Sequence, residues 1–355
     1  MDSITLSSLS LFAATPEQIF ESRRRTYAEW SGGLSLEEYL ARDEFTDKQE
    51  VACEGRLITW VLAPRSNPTS LDFLCSCETF RRDGLVCSKA NAKPKRVICY
   101  AIASVFTPLR FRADVSLLPA ISPREWGAPP HRVAHAGDGL FSALWSDVGA
   151  EFYRRCGPTK DSDGWITRAP FSTIWDVKQE SSSIDTSGWT LLDETGVMKL
   201  WEDDAENISR TLSPADNFQV SFSYLPHKGV AAFQHWRTTD ILNKRGYAPI
   251  HHWGIIRDSN TFATWTFDIQ SSAKTLLITR LKSSPENMKT LLAILMSVAR
   301  KHGMERIEVY NLPDHLQSSA AHLGGLTVER DDHLPSFKWY GEEHSSEIAW
   351  LMNER

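Results

Sequence analysis

A ten-residue stretch, Val97–Phe106, limits the possible folds of this 355-residue chain more than any other segment. Apolar side chains fill nearly all of its positions, and Ser104 is its one clearly polar residue. A strand with one solvated face alternates between apolar and polar residues, whereas a continuous apolar run is typical of a strand that is covered on both faces. The stretch therefore predicts a central strand in a sheet.

The segments that precede this strand predict a mixed sheet rather than a doubly wound nucleotide-binding fold. Thr15 and Ser35 are typical helix N-caps. The expected helices and strands are Pro16–Trp30, Leu36–Phe45, Leu57–Leu62 and Leu71–Arg81. Because no crossover helix separates the two strands from the central one, they are expected to form an antiparallel meander. The predicted fold class is α/β, of the α+β type with a mixed sheet.

The residues that follow predict a further strand, a short helix and a linker. Phe141–Trp145 is the expected strand, and the helix after it is expected to be capped by Asp147 and to end at Gly157. Trp165–Trp175 is expected to form a strand pair, and the serine-rich Lys178–Ser187 is expected to be a linker. The predicted organisation is a first domain, a linker region and a C-terminal domain, at residues 1–180, 181–205 and 206–355.

The second half repeats the order of elements expected in the first half. Pro285–His302 has apolar residues at helical spacing and predicts a long amphipathic helix. The other expected elements are strands at Trp253–Ile256, Phe262–Asp268, Leu276–Lys282 and Arg306–Leu312, and a short helix at Asp314–Leu323. A strand, a long helix, a strand and a short helix in succession indicate a weak internal duplication.

Composition restricts the classes of partner. A net charge of −6 disfavours nucleic acid or an anionic membrane as the main partner and fits a small cationic substrate. The six cysteines lack the regular spacing of a disulfide framework and are expected to be reduced thiols. The adjacent His251 and His252 would point to opposite faces of a strand, so no metal site is expected. No secretion signal and no apolar run of ~18 residues is visible. A protein without a membrane segment is therefore expected, either cytoplasmic or soluble in an organelle.

Two motifs carry a resemblance to a known superfamily. They are Ser104-Val-Phe-Thr-Pro108, followed by an arginine-rich turn, and Leu144-Trp-Ser-Asp-Val-Gly-x-x-Phe-Tyr-x-x-Cys-Gly157. Together they resemble the GNAT superfamily of N-acetyltransferases, and more closely the fungal lysine N6-acetyltransferases that open lysine degradation. The resemblance implies a GNAT domain followed by a second, GNAT-like C-terminal domain that shapes the substrate pocket. It also implies acetyl-CoA as co-substrate, and a small amine such as free L-lysine as acceptor.

The resemblance also implies roles for individual residues. In such enzymes the strand matching Ile102–Phe106 separates from its neighbour, and its backbone binds the pantetheine arm of CoA. The implied cofactor-binding residues of this segment are Ser104, Val105, Phe106 and Thr107. An N–H group of Val105 or Phe106 would polarise the thioester carbonyl. Tyr153 matches the tyrosine that protonates the departing CoA sulfur, and the alternative is a tyrosine that merely packs between helix and sheet.

The pyrophosphate loop of the superfamily is atypical here, at residues 107–122. Arg112 matches the first residue of the family motif, but Ala113 and Asp114 follow, and the motif glycines are missing. Asp114 adds negative charge, and Pro119 interrupts the helix that should follow. Arg112, Ala113 and Asp114 are still the implied pyrophosphate-binding positions. The alternatives are a non-catalytic or vestigial acetyltransferase-like protein with impaired CoA binding, and a defect of splicing or of the gene model.

Glu78 is the candidate general base. It lies in the predicted strand Leu71–Arg81, where an inward-facing carboxylate requires a reason. A salt bridge to Arg81 or Arg82 is the alternative, and a chain of water molecules could carry the proton instead. Asp147 is better explained as a helix cap than as a base.

Overall fold

The computed structural model describes residues 8–108, 136–157, 162–178, 185–269 and 273–353. The strands are β1 Leu9–Ala13, β2 Leu57–Pro64, β3 Ser76–Ser88, β4 Lys95–Phe106, β5 Gly139–Ser146, β6 Ile166–Thr167, β7 Phe171–Asp176, β8 Thr190–Leu192, β9 Val220–Tyr224, β10 Gly254–Asp258, β11 Thr261–Asp268, β12 Thr275–Lys282, β13 Arg306–Tyr310, β14 Leu326–Glu329, β15 Leu334–Trp339 and β16 Ile348–Trp350. The helices are α1 Pro16–Trp30, α2 Leu36–Asp47, α3 Ala150–Arg154, α4 Glu194–Thr211, α5 Val230–Lys244, α6 Pro285–Lys301 and α7 Asp314–His322.

The chain divides into two compact units that are interleaved along the sequence. Unit 1 comprises Met1–Arg168, Leu212–Leu225 and Asp332–Ala349, and unit 2 comprises Ala169–Thr211, Pro226–Asp331 and Trp350–Arg355. The expected boundaries at residues 180 and 205 stay a prediction. Each unit contains its own mixed sheet, and the expected mixed α/β class is confirmed.

The sheet of unit 1 has the predicted central strand in its middle. Its strands follow the order β1, β2, β3, β4, β5, β15, β6, and β9 pairs with both β3 and β16. Strands β1 to β4 pair in antiparallel fashion, as expected, whereas β4 and β5 are parallel. The pairing of β4 with β5 stops before the C-terminal ends of both strands, and the candidate site lies at these ends.

Strand β3 is longer than predicted and starts later. The expected strand was Leu71–Arg81, but β3 covers Ser76–Ser88. Its second half pairs with β9, from Gly84 opposite Tyr224 to Ser88 opposite Val220. This pairing joins segments that are far apart in the sequence, and local patterns contain no signal for it.

Capping residues fix the starts of α1 and α2 as predicted. The Thr15 side chain accepts from the N–H of Gln18, and the Ser35 side chain accepts from the N–H of Glu38; both form complete capping boxes. The expected cap of α3 is wrong. Gly149 precedes that helix, with φ 81°, and Asp147 instead pairs with His333 Nδ1 at 2.8 Å. A backbone in the left-handed region at this position favours glycine over a side-chain cap.

The sheet of unit 2 has the order β14, β7, β13, β12, β11, β10, β8, with β12 and β13 as its parallel pair. Residues 165–175 do not form the expected strand pair, because β6 pairs with β15 and β7 pairs with β13 and β14. The expected helix at Pro285–His302 is confirmed as α6. Helix α5 was not predicted, since its apolar residues form no clear stripe.

Candidate active site

A bulge in β4 forms the centre of the candidate site. Glu78 of β3 lies opposite Ala103, but Ser76, two residues earlier, lies opposite Phe106 rather than Val105. The extra residue is accommodated by Ser104, whose φ of 54° is unusual for a residue other than glycine. The bulge places the Ser104 side chain on the face that carries Glu78. Ser104 Oγ donates a hydrogen bond to Glu78 Oε2 at 2.6 Å.

Beyond this point β4 and β5 separate. Their parallel pairing runs from Ile98 opposite Gly139 to Ala101 opposite Ala143 and then stops, although β4 continues to Phe106 and β5 to Ser146. Among the described residues, the edge of β4 from residue 102 to residue 106 therefore has no strand partner on the β5 side. Backbone N–H and C=O groups along such an edge can bind an extended ligand.

Tyr153 lies on the face of the sheet opposite Glu78. It packs in an apolar cluster with Val105 of β4 and Cys77 of β3. Its ring meets the ring of Trp165 edge to face at 6.4 Å, and its carbonyl accepts from the N–H of that residue at 3.0 Å. A Cβ on Gly164 would lie 2.3 Å from the Tyr153 carbonyl oxygen, so this close approach requires glycine.

The Tyr153 hydroxyl is available to a ligand. Within the described ranges it makes no hydrogen bond, and burial of the side chain raises the pKa of Tyr153 well above its usual range. The phenol therefore keeps its proton throughout the physiological range. A neutral hydroxyl that is held by packing can donate a hydrogen bond or a proton to an anionic group beside Val105.

Burial also raises the pKa of Glu78, and the hydrogen bond from Ser104 and the positive charge of Arg23 oppose this effect. Arg81 and Arg82 do not form the alternative salt bridge. Arg82 Nη2 instead donates to the carbonyl of Leu225 at 2.8 Å, and Glu78 has no ion pair within 4.0 Å among the residues that the structure describes. Glu78 is thus a partly buried carboxyl group whose pKa is shifted toward neutrality, a property of a general base.

Sequence reasoning did not identify the charged side chains that surround Glu78. They come from α1 and α2 and are Arg23, Asp43 and Asp47. The available signal was a charged residue on the buried face of an amphipathic helix, because Arg23 is only 8% exposed.

The described residues contain neither a membrane-spanning helix nor a metal-binding cluster. Among the described residues, no helix is long and apolar enough to cross a lipid bilayer. Within the same ranges, no group of three or more histidine, cysteine, aspartate or glutamate side chains is arranged to hold a metal ion. All six cysteines lie in described segments and are free thiols.

Comparison with known proteins identifies the family. Residues 174–355 match the model of the LYC1 GNAT-like C-terminal domain, which covers just over half of the chain. The chain belongs to the LYC1 GNAT-like family. The expected GNAT superfamily and GNAT-like C-terminal domain are thereby confirmed.

The LYC1-like chain is also similar to a lysine acetyltransferase of Yarrowia lipolytica (strain CLIB 122 / E 150). The two are 25% identical over 187 residues, which cover 49% of this chain and 44% of that protein. The LYC1-like chain therefore matches less than half the length of this relative.

Solved structures share the fold. One is a probable N-acyltransferase from Enterococcus faecalis V583, a conserved protein of unknown function, with a TM-score of 0.53 and 9% identity. Another is a GCN5-related N-acetyltransferase from Anabaena variabilis ATCC 29413, with a TM-score of 0.52 and 12% identity. Each match covers 93% of the LYC1-like chain and 72% of the other. At these identities the likeness establishes the GNAT fold alone.

The expected site residues of the LYC1-like chain fall into four groups. Ser104 and Glu78 are in direct contact on the face of the sheet that packs against α1. Val105 and Tyr153 share a cluster on the opposite face. Phe106 ends β4, where its ring meets Trp30 edge to face at 5.8 Å, and Thr107 follows it. The remaining three, Arg112, Ala113 and Asp114, lie outside the described residues.

Proposed function

We propose that this chain is a GNAT-type N-acetyltransferase that transfers acetyl from acetyl-CoA to the ε-amine of free L-lysine or a related small amine. The observation that carries the proposal is the bulged end of β4, where the strand leaves β5 with Glu78 on one face and Tyr153 on the other. The lysine acetyltransferase of Yarrowia lipolytica, as a relative, favours lysine as acceptor. The proposal includes a cytoplasmic location, which six free thiols support.

The residues present suit acetyl-CoA as a co-substrate. The backbone edge of Ser104, Val105 and Phe106 on the side away from β3 would hold the pantetheine arm, and Thr107 would follow it toward the nucleotide. Arg112, Ala113 and Asp114 are the proposed pyrophosphate positions. Acetyl-CoA, when bound, supplies an activated acetyl group and a thiol leaving group.

The side chains divide the proton transfers between them. A lysine ammonium group has a pKa of ~10.4 and must lose a proton before its nitrogen can attack. Glu78 Oε1 or Oε2 accepts that proton, and a raised carboxyl pKa improves the match between base and operating pH. The N–H of Val105 or Phe106 donates a hydrogen bond to the carbonyl oxygen that gains negative charge. Tyr153 Oη donates a proton to the departing sulfur, and the second proton that the nitrogen releases as the amide forms restores the phenol.

A thiol-release assay with acetyl-CoA tests the proposal across lysine, polyamines and other amines. Turnover is expected with lysine or a close analogue, and Tyr153→Phe is expected to lower kcat by roughly 10²-fold because the proton donor is lost. Tyr27→Phe is the matched control, since Tyr27 on α1 donates to the Leu34 carbonyl, away from β4. Absence of turnover with every amine would overturn the proposal.

A non-catalytic acetyltransferase-like protein is the second candidate. The specific observation in its favour is the sequence Arg112-Ala-Asp-Val-Ser-Leu117, which lacks the motif glycines and adds the charge of Asp114. Calorimetry with CoA distinguishes the two candidates. Micromolar binding supports the enzyme, whereas no binding together with no turnover supports the second candidate.

A further inference from the structure

A buried arginine lies under the helical layer of unit 1. Arg23 on α1 is 8% exposed, and its Nη2 lies 2.7 Å from Asp47 Oδ1. Its Nε lies 3.9 Å from Asp43 Oδ2, and among the described residues this nitrogen has no hydrogen-bond partner. Burying a guanidinium group is costly unless it is paired, and here the pairing is incomplete. The two aspartates therefore leave the Nε atom of this buried guanidinium group unsatisfied.

The position of Arg23 relates it to Glu78. The residue before it, Ser22, hydrogen-bonds through Oγ to Ser76 Oγ at 2.8 Å, which ties α1 to β3. Ser76 lies two residues before Glu78 in the same strand, so both point toward the helices. The Ser22–Ser76 contact therefore sets Arg23 of α1 and Glu78 of β3 at the same helix–strand interface, where the opposite charges of the two side chains favour each other.

Further groups complete the surroundings of Glu78. Asp43 and Asp47 of α2 are anions that oppose ionisation of Glu78, whereas Arg23 favours it. Asp43 is shared with Arg42, whose Nη2 is 2.9 Å away, and Tyr39 of α2 is held through its hydroxyl by Thr26 at 2.9 Å. Ser104 donates from β4, and the neighbouring Cys77 thiol stays protonated because burial raises its pKa. One cation and two anions thus act on Glu78 from the helices in opposite directions.

We infer that Arg23 is a positioning residue: anchored by Asp43 and Asp47, it holds Glu78 as a carboxylate that can take a proton from an incoming ammonium group. This inference rests on the proposed function, because it gives Glu78 the role of base. Arg23 itself does not touch the acceptor. Its charge compensates that of Glu78 before the substrate arrives, and Asp43 and Asp47 prevent Arg23 from quenching the base by direct pairing.

Variants that change single charges separate this role from a structural one. Glu78 is followed directly by ¹³C NMR titration of side-chain carboxyl groups, with Glu78→Gln used to assign its signal. Arg23→Gln is expected to raise the pKa of Glu78, since a cation is removed and two anions lose their partner. Asp47→Asn is expected to lower it, since an anion is removed. Arg23→Lys retains the charge and is expected to restore the wild-type titration.

The matched control is Arg24→Gln, on the same helix. Arg24 pairs with Glu21 at 2.8 Å, its side chain is 56% exposed, and no shift of Glu78 is expected. Shifts in one direction for both Arg23→Gln and Asp47→Asn, or no shift for either, would overturn the inference. Circular dichroism verifies the fold of each variant, and Asp47→Asn and Arg23→Lys keep the test decisive if Arg23→Gln unfolds.

Activity adds a readout that distinguishes this inference from the proposed function. The acidic limb of the pH profile of kcat/KM is expected to move with the Glu78 titration, with a loss of about tenfold for Arg23→Gln at neutral pH. Opposite NMR shifts without turnover by the wild type would contradict the proposed function alone. Turnover with an unmoved pH limb, despite opposite NMR shifts, would overturn the positioning role.

Discussion

Ser104 adopts a left-handed backbone that costs a residue other than glycine about 1–2 kcal/mol. Its hydroxyl offsets part of this cost through the hydrogen bond to Glu78, a charge-assisted contact when Glu78 is ionised. Replacement by glycine would relieve the backbone but would remove the donor. Ser104 therefore forms the bulge of β4 and also donates a hydrogen bond to the carboxyl group of Glu78.

A second buried side chain makes a clear prediction about stability. His235 on α5 is 1% exposed and stacks on Trp253 at 4.4 Å, and neither ring nitrogen has a hydrogen-bond partner among the described residues. Burial lowers the pKa of His235 to about 3. The unfolded chain therefore binds this proton more readily than the native state does. The native state is favoured above a pH of about 6.5 and loses this contribution as pH falls toward 3.

The expected outcome is a free energy of unfolding that falls by up to about 1.4 kcal/mol for each pH unit below 6.5 because of this residue. His235→Phe keeps the stacking and is expected to flatten the pH dependence in urea titrations between pH 4 and pH 7. The control is His322→Gln, which changes an exposed histidine of α7 in the same unit. An unchanged slope in His235→Phe would contradict the prediction.

At the residue scale, the sequence indicates which side chains could take part in a reaction better than it indicates which side chains surround them. Glu78 was proposed because a charge in a predicted strand requires a reason, and Tyr153 because it matches the superfamily motif; both roles stay predictions. Arg23 was not recognisable, because its burial depends on α1 lying against β3. The cause of its burial is a tertiary contact through Ser22 and Ser76, and no local pattern encodes it.

At the scale of elements, one glycine lies in β3 where a buried ring covers the strand. A Cβ on Gly84 would lie 2.6 Å from Phe141 Cζ and 3.0 Å from Cys99 Sγ. Phe141 is fully buried, and its ring packs against the tilted ring of Phe222 of β9, with the centroids 4.2 Å apart. The absence of a side chain at this position lets the ring of Phe141 cover β3 where the strand changes its partner from β2 to β9.

Gly84→Ala is expected to destabilise the protein by about 1–3 kcal/mol, because the added methyl group overpacks the ring of Phe141. Phe141→Leu removes the clash, so the double variant is expected to lose less stability than the sum of the two single variants. Urea unfolding of the four proteins of this double-mutant cycle measures the coupling. Strict additivity would show that the ring does not limit this position.

Elements with strong local signals were predictable, and those set by distant pairing were not. The capping boxes at Thr15 and Ser35 fixed the starts of α1 and α2, and apolar spacing fixed α6. The predicted N-cap of α3 was wrong because Asp147 pairs with His333, which is far away in the sequence. Helix α5 has weak amphipathic character and therefore left no periodic signal.

At the scale of the whole molecule, unit 1 depends on strands from two later parts of the chain. β15 pairs with β5 from Leu334 opposite Ser146 to Trp339 opposite Phe141, and β9 pairs with the second half of β3. A contiguous first domain at residues 1–180 would leave these edges of β3 and β5 unpaired. The sequence could indicate a sheet of this class, but it could not indicate that the sheet is completed by later segments.

A fragment of residues 1–180 is accordingly expected to be unfolded or aggregated, since exposed sheet edges promote association. The dispersion of its amide NMR spectrum and its sedimentation, compared with those of the full chain, measure this. Co-expression with residues 181–355 is the control, because it returns β9 and β15. A well-dispersed, monomeric fragment would contradict the dependence and would favour the contiguous domain boundaries.

The divergence of β4 and β5 has a consequence for the lifetime of the protein. A ligand that hydrogen-bonds to the β4 edge completes the sheet only while it is bound. Binding to the native state therefore raises the free energy of unfolding in proportion to the logarithm of ligand concentration. Proteases in the cell act on the transiently opened chain. Abundance of the protein is therefore expected to rise and fall with the supply of the molecule that fills this opening.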